Sequence, residues 1–190
     1  MSHPIKKIRQ QAVVGIVGKI GTGKSAVAKY LVGRYNFVES AFGDKLKEVV
    51  ADLFDIPLYM LYSQDGKAAF DSRWGMTYRT LLQKFGTELG RSINPNVWVY
   101  HVEKWIADRP SLDVVISDVR FHTEVDMIRR VGGHVWKIVR DTGRSDAHAS
   151  EAEQDSIDAD IVIQNIGTLE DLYGLVDYAM GKDMPWKIKI

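Results

Sequence analysis

Four residues near the start of the chain have the types and spacing of a phosphate-binding loop. Gly18, Gly23, Lys24 and Ser25 satisfy the Walker A pattern G-x-x-x-x-G-K-[ST]. In such a loop, backbone N–H groups and the positive end of the following helix surround phosphate oxygens. The lysine ammonium reaches the β- and γ-phosphates, and the serine hydroxyl is a ligand for Mg²⁺. The pattern therefore predicts binding of a nucleoside triphosphate, but it does not indicate which molecule accepts the phosphoryl group.

The residues on either side of this loop have the patterns of a strand and a helix. The run 13–17 is apolar on both faces, as in a buried strand of a parallel sheet, and residues 24–35 have the pattern of a helix. This strand–turn–helix context favours a phosphate-binding loop over an ordinary glycine-rich turn.

Predicted strands and helices alternate along the rest of the chain. We predict further strands at 37–42, 113–117, 134–139 and 160–163, and helices at 43–54 with Asp44 as N-cap, 77–91, 97–106, 123–131 and 168–180. This alternation predicts an α/β fold of three layers, α/β/α, with a parallel sheet of about five strands and helices on both faces. No repeat or linker interrupts the pattern, so we expect a single domain over residues 1–190.

Polar residues follow several of the predicted strands. Asp118, Arg140 and Asn165 stand at strand ends, as Gly18 does, and ligands of such sheets bind beyond the carboxyl ends of the strands. Asp118 would hold Mg²⁺ or accept a substrate hydrogen bond, and Arg120 would bind a phosphate. A helix-capping aspartate with a surface arginine would fit the same spacing.

A second polar group repeats every four residues within one predicted helix. Arg79, Gln83, Thr87 and Arg91 lie along one side of that helix, with slow drift around its axis. Two arginines, an amide and a hydroxyl suit a phosphorylated polar ligand, and Trp98 nearby could stack on a base. A solvated helix face is the alternative.

The polar stretch after residue 139 contains two more arginines. Arg140 and Arg144 would belong to a mobile lid that brings positive charge to the transferred phosphoryl group. The alternative is an ordinary surface loop followed by a helix capped at Ser150.

Composition excludes several other classes of function. Lys+Arg and Asp+Glu both number 25, and this zero net charge argues against broad binding to nucleic acid or membrane surfaces. The absence of cysteine excludes disulfides and thiol catalysis, and the histidines lack a metal-ligand spacing. We see no signal peptide and no run of transmembrane length, so we expect a cytoplasmic protein.

From residue 14 to about residue 175 the chain resembles the deoxynucleoside monophosphate kinases of tailed bacteriophages, which are P-loop nucleotide kinases. The block R-x-L-L-Q-x-x-G-T-E-x-x-R, from Arg79 to Arg91, is its most diagnostic part. The resemblance also rests on the Walker A residues and on 42–47, 74–78, Trp98, 118–121 with Glu124, 148–151 and 165–169.

This resemblance implies a P-loop kinase fold and the reaction ATP + dNMP → ADP + dNDP with Mg²⁺. It implies a monophosphate-binding region at about 36–110 and a lid at about 140–152. The product would supply DNA precursors for phage replication in the host cytoplasm. The partners would be ATP and the monophosphate, with no direct contact to nucleic acid or membrane. Kinases of this kind often form homodimers, but the sequence shows us no interface.

The resemblance also implies roles for individual residues. Those implied in catalysis are Lys24, Asp44, Arg140 and Arg144. ATP phosphates would be bound by Gly18, Lys19, Gly21, Thr22, Gly23, Lys24, Ser25 and Ala26, the adenine side by Asn165, and the metal by Ser25 and Asp118. The monophosphate would be bound by Phe42, Asp44, Lys45, Arg79, Gln83, Thr87, Arg91, Trp98, Asp118, Arg120 and Glu124. Gly43 is a departure, because this family more often has alanine there.

Two other functions remain open on the sequence. One is a related small-molecule kinase, such as a dephospho-coenzyme A kinase, whose hydroxyl acceptor would require an aspartate as base. The other is a non-enzymatic regulator that binds nucleoside triphosphate.

Overall fold

The computed structural model describes residues 11–141 and 149–184, and only the backbone for residues 149–152. Within these ranges the strands are β1 Val13–Val17, β2 Phe37–Ser40, β3 Phe70–Asp71, β4 Met76–Thr77, β5 Asp113–Val119, β6 His134–Val139 and β7 Ile161–Gln164. Five of them form a parallel sheet in the order β2-β5-β1-β6-β7, while β3 and β4 form a separate antiparallel hairpin. The predicted parallel α/β sheet is confirmed.

Helices cover both faces of the sheet. Their bounds are α1 Lys24–Tyr35, α2 Phe42–Phe54, α3 Gln64–Ala68, α4 Tyr78–Gln83, α5 Arg91–Ile93, α6 Val97–Ala107, α7 His122–Arg130, α8 Ala149–Ser156 and α9 Leu169–Asp183. A 3₁₀ turn spans Leu58–Leu61, and a π-helical segment, Lys84–Gly90, joins α4 to α5. Apolar residues of α1 and α9 pack on one face of the sheet, and those of α2, α6 and α7 pack on the other. A smaller cluster includes Val50 of α2, Leu61 of the 3₁₀ turn and Leu81 of α4, and it packs these three segments against one another.

The central strand places the Walker A loop. All five residues of β1 are buried, and β1 pairs with β5 on one side and with β6 on the other. An apolar strand buried on both faces belongs at the centre of a parallel sheet. The loop after Val17 therefore emerges at the middle of the carboxyl edge, with the ends of β5 and β6 beside it.

Several predicted boundaries were wrong. Ala41, in an extended conformation, is the N-cap of α2, and Asp44 lies in the first turn of that helix. Strand β5 continues to Val119, so Asp118 lies within the strand. Helix α8 already includes residues 149–156, so Ser150 is not its N-cap. The first two differences have a tertiary cause: Asp118 caps α2 from a distant strand, and β5 pairs with β1 as far as Val119.

Other local predictions were confirmed or were incomplete. The sequence offered Thr168 or Gly167 as the cap of the last helix; the hydroxyl of Thr168 accepts a hydrogen bond from the backbone of Asp171, so Thr168 is the N-cap of α9. The predicted helix over 77–91 is present but contains the π-helical segment. Residues 58–75, for which we predicted no element, hold the 3₁₀ turn, α3 and one strand of the hairpin. In the described ranges no helix has the length and apolar character needed to cross a membrane.

Candidate active site

A cleft of about 900 Å³ lies at the carboxyl edge of the sheet. Its walls come from the Walker A loop, β5, α2, α3, α7, α8 and the helix that runs from α4 through the π-helical segment. The cleft therefore brings together residues that lie more than a hundred positions apart in the sequence, such as Gly18 and Glu124.

Close backbone packing accounts for two glycines of the Walker A loop. Gly18 and Gly23 have φ angles of 154° and 107°, which side-chain-bearing residues rarely adopt. A Cβ atom at Gly18 would lie 2.5 Å from the carbonyl oxygen of Ile138, and one at Gly23 would lie 2.7 Å from Nδ2 of Asn165. Glycine at these positions lets the loop fold tightly over the ends of β6 and β7.

The loop presents an anion site at the start of α1. Gly23, the N-cap of α1, provides no side-chain cap, and the first turn carries no acidic residue. This is the arrangement in which the N-terminus of a helix attracts an anion. The ammonium of Lys24 donates hydrogen bonds to the carbonyl oxygens of Gly18 and Lys19, the latter at 2.8 Å, which holds it over the loop. Ser25 lies beside it in the cleft wall.

Asn165 supports this loop through a hydrogen bond to its backbone. Its side chain is 3 % exposed, and Nδ2 donates a 2.8 Å hydrogen bond to the carbonyl oxygen of Thr22. Its backbone N–H donates to the carbonyl oxygen of Val139. These contacts give Asn165 a structural part in shaping the loop, and its predicted contact with adenine stays a prediction.

Besides the loop lysine and Arg91, which pairs with Glu124, four cationic side chains line the same cleft. They belong to Lys47, Lys67, Arg79 and Arg120. Burial lowers the pKa of Lys67, and the charges of Arg79, Lys47 and Arg120 lower it further. Lys47 pairs with Asp44, but none of the other three forms an ion pair with a carboxylate within the described residues. Such a concentration of uncompensated positive charge favours binding of a multiply charged anion.

Sequence reasoning did not find Lys67. This lysine lies on α3, a five-residue helix in the stretch where no element was predicted. A single lysine in an irregular stretch carries no signal by itself. Its position becomes meaningful only because Arg79, which donates a 2.8 Å hydrogen bond to Gln64 of α3, lies nearby.

The stripe of residues 79, 83, 87 and 91 faces the cleft. All four side chains, from Arg79, Gln83, Thr87 and Arg91, belong to its wall. The stripe is therefore part of the concave surface rather than a helix face in bulk solvent.

Asp44 lies in the same wall at the start of α2. Its Oδ1 accepts hydrogen bonds from the ammonium of Lys47 and the hydroxyl of Tyr62, both at 3.0 Å. Burial and the Asp44 carboxylate raise the pKa of Tyr62 to about 12, so this hydroxyl stays a donor at neutral pH. Asp44 is thus held in place by two partners that were not predicted.

Asp118 joins β5 to the start of α2. Its two carboxylate oxygens accept hydrogen bonds from the backbone N–H groups of Phe42, at 2.8 Å, and Gly43, at 2.9 Å. Asp118 therefore caps α2, a helix far away in sequence, while it also lines the cleft. The two interpretations of this aspartate, as a cap and as a site residue, are structurally compatible.

Glu124 and Arg91 form an ion pair at the inner end of the cleft. Glu124 is 1 % exposed, and its other oxygen accepts hydrogen bonds from the backbone N–H groups of Arg120 and Phe121, at 2.7 and 3.2 Å. Burial raises the pKa of Glu124 to about 7, although Arg91 opposes the shift. The Arg91 guanidinium also lies 3.7 Å from the centre of the Phe121 ring.

Trp98 is largely a packing residue. It is 9 % exposed within the core of the α6 side, and its indole N–H donates a 3.0 Å hydrogen bond to the carbonyl oxygen of Gly86. One part of the ring reaches the cleft wall. Stacking of Trp98 on a base stays a prediction.

Gln154 is a further residue that sequence reasoning missed. It lies on α8, is 2 % exposed and contributes to the cleft wall. Its Oε1 atom is buried and has no hydrogen-bond partner within the described residues. Helix α8 is held on one side by the Lys19–Asp155 ion pair at 2.9 Å and on the other by the Glu153 carboxylate, which accepts the N–H of His122.

Most of the predicted residues meet in the cleft, and a few do not. Lys19, Thr22, Lys45, Arg140 and Asn165 lie outside its wall. Lys45 pairs with Glu48 on the surface of α2, and Arg140 is exposed. Arg144 and residues 142–148 of the predicted lid lie outside the described residues.

Comparison with solved structures identifies the fold. Shikimate kinase from Aquifex aeolicus superimposes with a TM-score of 0.57 at 12 % identity, covering 90 % of this chain and 98 % of that one. A protein from Thermus thermophilus gives a TM-score of 0.51 at 19 % identity, covering 92 % and 98 %. At these identities the likeness shows the P-loop kinase fold alone.

Sequence comparison identifies the family. The profile described as deoxynucleotide monophosphate kinase matches residues 59–176. A putative deoxynucleotide monophosphate kinase of Acanthamoeba polyphaga mimivirus is 37 % identical over 180 residues, which covers 86 % of this chain and 93 % of that protein. The residues matched by the profile include the stripe from Arg79 to Arg91 and the Asp118–Glu124 segment. This chain therefore belongs to the deoxynucleotide monophosphate kinase family.

Proposed function

We propose that this protein transfers the γ-phosphoryl group of ATP to the 5′-phosphate of a deoxynucleoside monophosphate. One observation supports this most strongly: a single cleft is lined both by a Walker A loop and by three cations without carboxylate partners among the described residues, Lys67, Arg79 and Arg120. The loop suits the donor phosphates, and the three cations suit the acceptor phosphate.

The donor half consists of residues 18–26. The N–H groups at the start of α1 would bind ATP phosphate oxygens, and the Lys24 ammonium would exchange its loop carbonyl partners for the β- and γ-phosphates. Asn165 would lie on the adenine side, where it also braces the loop through the carbonyl of Thr22.

The acceptor half consists of the stripe, Asp44 and the Asp118–Glu124 segment. Its cations would bind the monophosphate and direct one of its oxygens toward the γ-phosphorus atom. A phosphate acceptor is already an anion, so the transfer requires alignment and charge stabilisation rather than a strong general base. We propose that Arg140 and Arg144, in a lid over 140–152, add positive charge at the transferred group.

The residues present fit a magnesium ion. The Ser25 hydroxyl and the Asp118 carboxylate are oxygen donors in the wall of one cleft, and Mg²⁺ is commonly bound by one or two carboxylates together with substrate phosphates. When bound, the ion would neutralise charge on the β- and γ-phosphates. Asp118 would supply a carboxylate oxygen to the ion or to one of its waters and keep its hydrogen bonds to α2.

Several wider statements belong to the same proposal. Residues 36–110 would form the monophosphate-binding region within one kinase domain, and nucleotides would be the main partners. Supply of DNA precursors for phage replication, a cytoplasmic location and assembly into homodimers stay predictions.

A coupled assay of ADP release tests the proposal. Purified protein, ATP and Mg²⁺ would be combined with each standard deoxynucleoside monophosphate, each ribonucleoside counterpart or dephospho-coenzyme A. We expect multiple turnovers with deoxynucleoside monophosphates, at rates above those with the ribonucleotides, and none with dephospho-coenzyme A. A preference for dephospho-coenzyme A, or ADP release that does not depend on any acceptor, would contradict the proposal.

A further inference from the structure

The helix that carries the acceptor stripe changes its winding midway. An α-helix has 3.6 residues per turn, so side chains four residues apart rotate by about 40° per step and by about 120° from Arg79 to Arg91. A uniform α-helix would therefore turn Arg91 well away from the face of Arg79. In the structure both arginines, with Gln83 and Thr87 between them, line the same cleft.

The π-helical segment explains how the stripe stays on one face. It covers Lys84–Gly90, the part of the helix between Gln83 and Arg91. Hydrogen bonds of a π-helix run from i to i+5, so one of its turns contains more than four residues. Side chains four residues apart therefore rotate around a π-helix in the direction opposite to their rotation around an α-helix. The rotation around the helix axis from Arg79 to Gln83 is thus reversed by the π-helical segment before the chain reaches Arg91.

Three residues determine how the π-helical segment packs against α2 and α6. Gly86 and Gly90 are buried, and the Trp98 indole N–H donates a 3.0 Å hydrogen bond to the carbonyl oxygen of Gly86. A Cβ atom at Gly90 would lie 2.9 Å from Cζ2 of Trp98 and 3.1 Å from the carbonyl oxygen of Phe85. One at Gly86 would lie 2.5 Å from Cδ2 of Leu46. The segment can approach α2 and α6 this closely only without side chains at these positions.

We propose that Gly90 and Trp98 are positioning residues for the acceptor nucleotide. They hold the π-helical segment in the winding that directs Thr87 and Arg91 toward the monophosphate. Trp98 acts through the hydrogen bond from its indole N–H to the backbone of Gly86. This inference rests on the proposed function and extends it from the residues that contact the acceptor to those that orient them.

Trp98→Phe is the most informative substitution. Phenylalanine keeps an aromatic ring for packing and for stacking on a base, but it cannot donate to Gly86. We expect the KM for the preferred deoxynucleoside monophosphate to rise about ten-fold, the scale of one lost buried hydrogen bond, while the KM for ATP changes less than about two-fold. The thermal shift that the monophosphate alone produces should shrink in parallel. An unchanged KM and an unchanged thermal shift would overturn the inference.

Gly90→Ala tests the packing part, with Gly174→Ala as its matched control. Both glycines lie in helices, but a Cβ atom at Gly174 meets no atom within 4 Å. Alanine gains helix propensity over glycine at both positions, so a difference between the variants reflects the contacts of position 90 with Trp98 and with the Phe85 carbonyl. We expect only Gly90→Ala to raise the monophosphate KM. If Gly90→Ala does not fold, the Trp98→Phe result decides.

The two proposals fail in different ways. If wild-type protein shows no monophosphate-dependent ADP release, the proposed function fails. If wild-type protein turns over and Arg79→Ala raises the monophosphate KM, but Trp98→Phe and Gly90→Ala both behave like wild type, only the positioning inference fails.

Discussion

The carboxylate of Asp118 accepts a 2.9 Å hydrogen bond from the backbone N–H of Gly43, 75 positions away in the sequence. The same carboxylate binds the N–H of Phe42 and so caps α2 from the neighbouring strand β5. A Cβ atom at position 43 would lie 3.1 Å from Asp118 Oδ2, a close contact that glycine avoids. The start of α2, with Asp44 and Lys47, is thereby tied to the end of a central strand.

Asp118→Ala should therefore reduce both stability and activity. Loss of two hydrogen bonds that cap a helix should lower the free energy of unfolding by about 1–3 kcal/mol. Urea denaturation followed by circular dichroism would measure this, with Asp52→Ala, an exposed aspartate on the same helix, as control. A variant that loses turnover at unchanged stability would show that Asp118 acts on the ligands and not through α2.

Lys24→Met should nearly abolish turnover without unfolding the protein. The ammonium makes its contacts with loop carbonyls at the anion site, so its loss removes positive charge from the phosphates and little packing. We expect kcat to fall by at least about 100-fold, the scale seen when a positioned charge at a transition state is removed. Lys29→Met, on an exposed position of α1, should retain activity. Wild-type turnover in Lys24→Met would refute the phosphate-loop assignment.

Lys67→Met and Arg79→Ala should weaken acceptor binding selectively. Both side chains carry charge in the lining of the cleft outside the Walker A loop, so the KM for the monophosphate should rise about ten-fold or more, with little change in the KM for ATP. Lys104→Met, which removes an exposed cation paired with Asp108 on α6, is the control. Equal changes in the KM values for both substrates would show that these cations do not belong to the acceptor half.

The buried Glu124 predicts a specific dependence of stability on pH. Its pKa is raised in the folded protein to about 7 from an ordinary value of 4.5. Between these two values the folded state binds more protons than the unfolded state, so the free energy of unfolding falls as the pH rises. Over this interval the contribution is on the order of 3 kcal/mol.

Glu124→Gln should remove that slope. Thermal unfolding at intervals from pH 4.5 to pH 8 would compare the variant with wild type. As the pH rises, the melting temperature of the variant should increase relative to that of wild type, and this difference should level off above about pH 7. Parallel curves for the two proteins would show that Glu124 keeps an ordinary pKa beside Arg91.

Gln154→Met should stabilise the unliganded protein. The substitution keeps the length of the side chain and removes a buried amide oxygen that lacks a partner within the described residues, an arrangement that costs about 1–3 kcal/mol. We expect a higher melting temperature without ligand and a smaller additional shift with ATP and the monophosphate. A lower melting temperature in Gln154→Met would show that the amide is already satisfied in the unliganded protein.

Local sequence was sufficient for the elements whose cause is local. The apolar run 13–17 predicted the central strand because a strand buried on both faces needs no polar positions. The spacing of Gly18, Gly23 and Lys24 predicted the anion site because backbone geometry and helix polarity alone create it. The hydroxyl of Thr168 marked the start of α9 because a cap acts within one turn.

Tertiary structure decided how the acceptor wall is assembled. The four-residue repeat from Arg79 to Arg91 did not reveal the π-helical segment, because its winding depends on contacts with Leu46 and Trp98 from other helices. Lys67 carried no signal until α3 placed it among other cations. The sequence around Asp118 fitted either a helix cap or a site residue, and only the approach of α2 to β5 showed that its carboxylate caps a distant helix. The sequence determined the phosphate-binding chemistry through short-range geometry, whereas the winding and charge of the acceptor wall depend on packing between distant segments.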